Sequence, residues 1–142
     1  MAEDFAAKAE IVVNAPIERI WDALVNPKMI KQYLFGTEVS SEWKAGSAIT
    51  YRGEWQGRAY EDKGTILELI PHKRLVSTFW SSLGGLPDLP ENYNTVTWEI
   101  EGSDSGTKLS VVQDNNPSRE SADHSANNWA LVLAKIKELL EA

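Results

Sequence analysis

Near the start of the chain Ala7, Ala9, Ile11 and Val13 alternate with Lys8 and Glu10. Period two predicts a first strand with one buried face. Asn14-Ala15-Pro16 ends it, and Pro16 suits a first helical position, where its missing N–H costs nothing. Ile17, Ile20, Trp21, Leu24 and Val25 then recur at helical spacing, with Glu18, Arg19 and Asp22 on the wet side. Asn26-Pro27 repeats the device, with Asn26 as N-cap and Pro27 at the first helical position. Met29, Ile30, Tyr33 and Leu34 form the apolar side of this second short helix, and Gly36 closes it.

From Thr37 to Asp114 the periodicity is that of strands. Val39 to Trp43 is one, followed by a turn at Lys44-Ala45-Gly46. Ile49, Tyr51 and Trp55 alternate with Thr50, Arg52 and Glu54, and Gln56-Gly57 signals a hairpin. Arg58 to Ile70 is a long strand in which Gly64 suggests a bulge. Pro71-His72-Lys73 turns the chain into a strand from Leu75 to Ser81. Leu83 to Asn92 is a Gly/Pro loop. Val96, Trp98 and Ile100 alternate with Thr95, Thr97 and Glu99, and after a turn at Gly102 to Gly106, Leu109, Val111 and Gln113 share one face of the last strand.

Ser118 is placed to cap a final helix running to about Glu141. Its stripe is Ala122, Ala126, Trp129, Leu133, Ile136 and Leu140. Strands joined by short turns predict an antiparallel sheet. The long helix must bury its stripe against that sheet. The expectation is an α+β fold: a curved antiparallel sheet of about six or seven strands wrapped around a long C-terminal helix, with two short helices after the first strand.

Composition narrows the function classes. A length of 142 residues predicts one domain spanning 1–142. Without cysteine there is no disulfide scaffold, thiolate zinc site or cysteine nucleophile. A net charge of -7 argues against nucleic acid and anionic membranes, both of which need a positive field. No apolar run approaches the roughly 18 residues of a membrane helix. The opening MAEDFAAKAE lacks the basic start and apolar centre of a secretion signal, so a cytoplasmic location is expected.

Four segments together resemble the helix-grip superfamily of START-like lipid-transfer domains, polyketide cyclases and the birch-pollen allergen. They are IVVNAPIERIWDAL from Ile11 to Leu24, GTILELIPHKRLVSTFW from Gly64 to Trp80, TVTWEI from Thr95 to Ile100 followed by Gly106-Thr107-Lys108-Leu109, and the last helix with Trp129. Within that superfamily the chain is similar to the family named for the activator of the heat-shock-protein-90 ATPase. It departs at Ala45-Gly46, where many members have two glycines.

The resemblance implies a ligand cavity between the C-terminal helix and the sheet, holding an apolar, aromatic or lipid-like small molecule. Small residues at Ser121, Ala122, Ser125, Ala126 and Ala130 leave space on that helix. The candidate lining is Tyr33, Tyr51, Tyr60, Trp80, Trp98, Gln113 and Trp129, with the loop at Gly84, Gly85 and Pro87 near the mouth as a lid. A cyclase- or dehydratase-type enzyme is the alternative, drawing on Tyr51, Tyr60, Asp62 or Glu68. A chaperone partner is a third, suggested by the family's name. The eukaryotic co-chaperone behind that name carries a further N-terminal domain with no counterpart in these residues. No cofactor, metal site or catalytic triad is expected. His72 and His124 lack metal-ligand spacing and are expected to be structural or solvated.

Overall fold

The computed structural model describes residues 5–34, 36–82, 85–103 and 106–141, without the side chains of Trp55 and Ser103. Strand β1 (Phe5–Val13) leads into helices α1 (Ile17–Val25) and α2 (Pro27–Tyr33). Strands β2 (Glu38–Ser41), β3 (Ala48–Trp55), β4 (Arg58–Ile70), β5 (Arg74–Phe79), β6 (Asn94–Ser103) and β7 (Gly106–Asn116) follow, and helix α3 (Arg119–Glu141) closes the chain. The sheet has seven strands in the order β1-β7-β6-β5-β4-β3-β2, every neighbouring pair antiparallel. This is the expected α+β helix-grip architecture: consecutive strands pair as a meander, and β1 closes against β7.

Local chemistry explains the element ends. The Asn26 side chain accepts a hydrogen bond from Lys28 N at 3.0 Å, with Pro27 beginning the helix. Ser118 Oγ accepts from Ser121 N at 3.1 Å at the start of α3. Gln56 and Gly57 have φ of 50° and 78°, the left-handed pair of a two-residue hairpin between Trp55 and Arg58. Pro16 stands one position earlier than expected. It is the extended residue before α1, and its carbonyl accepts from Arg19 N and Ile20 N. Trp43 lies outside β2, which ends at Ser41. Its φ of 56° belongs to the turn rather than to a strand.

The bulge in β4 falls between Ile66 and Glu68, where the pairing with β5 shifts, and not at Gly64. Gly64 keeps its register opposite Ile49. What it supplies is clearance: a Cβ there would lie 1.7 Å from the Thr78 carbonyl oxygen. Any side chain would have to push β4 and β5 apart.

One end of the interior is densely filled. Leu133, Ile136 and Leu140 of α3 meet Val13 of β1, Leu109 and Val111 of β7, and Ile20 and Trp21 of α1, all buried. α1 presents Ile20, Trp21, Ala23 and Leu24 to this core. His72 in the β4–β5 turn places its ring edge-on to Trp21, at 6.4 Å between centroids. His124 is exposed on α3. Among the described residues, no helix is long and apolar enough to cross a membrane.

Replacing Gly64 with alanine is expected to cost about 3 kcal/mol or more, because the clash is with backbone that cannot rotate away. Urea denaturation measures it. A loss under about 1 kcal/mol would contradict the close approach of β4 and β5.

Candidate ligand-binding site

The inner face of the sheet is set by strand alternation. On β3 it carries Ile49 and Tyr51; on β4, Asp62, Gly64 and Ile66; on β5, Leu75, Ser77 and Phe79; on β6, Val96 and Trp98. Leu24 of α1, Ile30 and Tyr33 of α2, and Trp43 from the β2–β3 turn cover part of that face. The cover is incomplete. A cavity of about 190 Å³ remains between them.

Four of the expected lining residues meet at this cavity: Tyr33, Tyr51, Trp98 and Trp129. The cavity lies towards α1 and α2, not along the small-residue half of α3. From α3 only Trp129 reaches it, among the described residues. Ala122 of the small half is buried, while Ser125 turns its hydroxyl to Asn116 at 3.4 Å.

Three expected lining residues stand elsewhere. Gln113 faces inward, but its Oε1 accepts from Trp129 Nε1 at 2.9 Å and its Nε2 donates to Asn116 Oδ1 at 3.0 Å. It holds Trp129 from outside the cavity. Tyr60 crosses over Gly53, where a Cβ would lie 2.4 Å from the Tyr60 hydroxyl. That hydroxyl sits 2.5 Å from Thr37 Oγ1, which itself donates to the Leu34 carbonyl at 2.7 Å. Tyr60 must then be the donor to Thr37, and it braces Thr37, a cavity residue, from behind.

Trp80 is on the outer face, one residue past the inward Phe79. It pairs with Lys63, stacks on Tyr93 at 6.4 Å and donates from Nε1 to the Leu86 carbonyl at 3.2 Å. The Lys63 ammonium lies 5.8 Å above its ring and also pairs with Asp88. This cluster ties the loop after β5 to the outside of the sheet. None of the described loop residues lines the cavity, so Gly85 and Pro87 are not its lid, and Gly84 lies outside the described residues. The Leu83–Asn92 loop contributes Leu86 instead to a separate surface groove beside Asn116 and Ser121.

Several cavity residues carried no individual signal in sequence. Phase alone would have found some of them: Leu75, Ser77 and Phe79 share one face of β5, which puts Trp80 on the other. Trp43 enters through a left-handed turn residue, which no periodicity marks.

The walls are mostly apolar and aromatic. Tyr51 meets Phe79 edge-on at 5.7 Å, and Trp98 meets Trp129 edge-on at 5.4 Å. Tyr33 donates its hydroxyl to the Ala23 carbonyl at 2.9 Å. Against this background stand three polar groups on the sheet wall. Asp62 lies directly across from Tyr51 in the β3–β4 register. The hydroxyls of Tyr51 and Ser77 have no hydrogen-bond partner among the described residues, although both residues line the cavity.

Burial pushes the Asp62 carboxyl above the ordinary carboxylate range. Hydrogen bonds from the Ser81 side chain and from Ser82, whose backbone N lies 3.0 Å from Oδ1, oppose that shift without cancelling it. Burial also raises the Tyr51 phenol, and the Asp62 charge raises it further. Tyr33 is raised by burial first and by Tyr51 second. Glu68 is not part of this wall. It pairs with the outward Val76 and lies 3.8 Å from Arg74 on the outer surface.

A family model described as activator of Hsp90 ATPase homolog 1-like protein matches residues 14–141. The solution structure of ChR145 from Cytophaga hutchinsonii is 47% identical, with a TM-score of 0.87 over 99% of this chain and 97% of that one. CV1439 from Chromobacterium violaceum is 22% identical, with a TM-score of 0.76 over 97% of this chain and 98% of that one. The solution structure of the Aha1 dimer from Colwellia psychrerythraea is 21% identical, with a TM-score of 0.73 over 96% of each chain. The last two likenesses establish the fold alone. No curated protein matches the chain.

Gln113→Leu leaves the Trp129 indole N–H without its acceptor. It is expected to lose about 1–3 kcal/mol in urea denaturation and to shift the tryptophan emission. Folded Asp62 holds its proton to higher pH than the unfolded chain does. The neutral carboxyl's contribution is therefore full below the ordinary aspartate range and is lost as pH rises through the raised value. Asp62→Asn removes that loss. The variant should gain stability relative to wild type between about pH 3 and about pH 7, measured by denaturation at both. An unchanged difference would contradict the burial of Asp62.

Proposed function

The chain belongs to the activator of Hsp90 ATPase homolog 1-like family, and from that premise we propose that it is a binding module for a compact, largely apolar small molecule. The cavity under α2 and beside Trp129 is the observation that carries this reading. Left unfilled, a void of about 190 Å³ corresponds to at most roughly 4–5 kcal/mol of forgone packing, at about 24 cal/mol per Å³. That is a large share of a typical domain's stability of about 5–15 kcal/mol. A ligand recovers those contacts when bound.

Size constrains the occupant. An apolar cavity of about 150 Å³ accommodates benzene. The site suits a one-ring molecule with a short substituent, rather than a long-chain lipid. Leu34 and Trp129 line both the cavity and an adjoining surface groove that includes Val132 and Asn128. Entry is between these two side chains, and Gln113 holds the second of them in place.

A cyclase- or dehydratase-type activity is the second reading, favoured by Asp62 and Tyr51 at the cavity wall. It draws on two of its four candidate residues, since Tyr60 serves Thr37 and Glu68 faces outward. A chaperone-regulating role rests on the family description, and stimulation of a purified chaperone's ATPase by this protein tests it. The protein is proposed to act in the cytoplasm.

Ser77→Leu fills part of the cavity from its sheet wall. It is expected to raise the thermal midpoint of the free protein and to abolish the further rise that indole or toluene produces in the wild type. A wild-type protein whose midpoint and tryptophan emission ignore both probes would overturn the binding reading.

A further inference from the structure

The cavity is unlike a plain hydrocarbon pocket in its charge and its aromatic content. Among the described residues, Asp62 is the single carboxylate on its wall, and no lysine, arginine or histidine lines it. Six described aromatic side chains do: Tyr33, Trp43, Tyr51, Phe79, Trp98 and Trp129. Ring faces carry partial negative charge and attract cations. A carboxylate among aromatic rings is the chemistry that recognises an ammonium group.

Other ligand classes fit less well. A hydrocarbon would leave the Tyr51 and Ser77 hydroxyls without a hydrogen-bond partner among the described residues, and would leave the Asp62 carboxylate, already bonded to Ser81 and Ser82, without a counter-charge. An anion would be brought against Asp62 with no counter-charge in the wall. A group with N–H donors and a positive charge answers both problems. It donates charge-assisted hydrogen bonds to Asp62 and a hydrogen bond to the Tyr51 oxygen, across the strand from it. The net charge of -7 also favours the approach of a cation.

We propose that the occupant is a small organic ammonium ion with a one-ring or similarly compact apolar body, its nitrogen against Asp62 and its body among Trp43, Phe79, Trp98 and Trp129. This rests on the cavity being a ligand site. Asp62 is then the specificity-determining residue, and Tyr51 assists it. The ammonium supplies the positive partner that the described wall residues do not.

The test compares three one-ring probes: benzylammonium, ethylbenzene of the same size without charge, and benzoate of opposite charge. Binding is followed by the indole N–H signals in NMR titrations of the full chain. Benzylammonium is expected to bind at least about tenfold more tightly than ethylbenzene, with no detectable binding of benzoate. Asp62→Asn should weaken benzylammonium about tenfold or more while ethylbenzene stays within about threefold, which also reports that the variant's cavity is intact. Tyr51→Phe should weaken benzylammonium by a smaller factor. Ethylbenzene or benzoate binding to the wild type as tightly as benzylammonium overturns the ammonium assignment and leaves the binding reading standing. So does an Asp62→Asn variant that keeps the preference. If none of the three binds, the binding reading falls and this inference falls with it.

Discussion

The interior is organised around one side chain, Trp129. Its ring stands edge-on to Trp98 and its N–H is held by Gln113, whose own amide is fixed by Asn116. Asn116 in turn donates to the Phe5 carbonyl at 2.7 Å, so the tether reaches the outer strand of the sheet. The geometry makes this necessary. A curved sheet of seven strands has more inner face than one helix can cover. The second half of α3 fills its share with Leu133, Ile136 and Leu140. Beyond Trp129 the helix carries small residues, and covering the sheet falls to α1 and α2.

Those two helices are short, and their cover stops before the space is full. Tyr33 spends its hydroxyl on the Ala23 carbonyl, binding α2 to α1 rather than reaching into the void. Tyr60 likewise spends its hydroxyl on Thr37. What is left facing the cavity is a wall of rings with Tyr51, Ser77 and Asp62 set into it. Buried polar groups normally find partners. The Tyr51 and Ser77 hydroxyls, which have no hydrogen-bond partner among the described residues, face the unfilled space instead. The same fold is shared with structures only about a fifth identical, so the fold by itself specifies the scaffold and not the chemistry.

Local signals in the chain are legible where they act over a few residues. Asn26 before Pro27, Gln56-Gly57 and Ser118 each form the cap or turn that their type favours. Glycine within a strand often marks a bulge, which is what Gly64 suggests locally. Its role is instead to let the Thr78 carbonyl approach, a contact with a strand 14 residues away in sequence that no local pattern shows. Trp80 and Gln113 have the right chemistry for a pocket and sit near it. The first is on the wrong side of its strand, and the second is occupied by Trp129.

Periodicity, caps and turns act within a turn or a strand, so the sequence alone determined the elements, their order and the buried face of strands with clear alternation, such as β1 and β6. It also determined that a long helix must lie against the sheet. Which end of that sheet stays unfilled was decided only in three dimensions. That outcome depends on the curvature of the sheet, on the reach of Trp129 and on where α1 and α2 settle. Each of these is a packing balance among residues far apart in the chain. The placement of Asp62 opposite Tyr51 at that unfilled end has the same origin, because strand register brings together residues that their own neighbours leave undetermined.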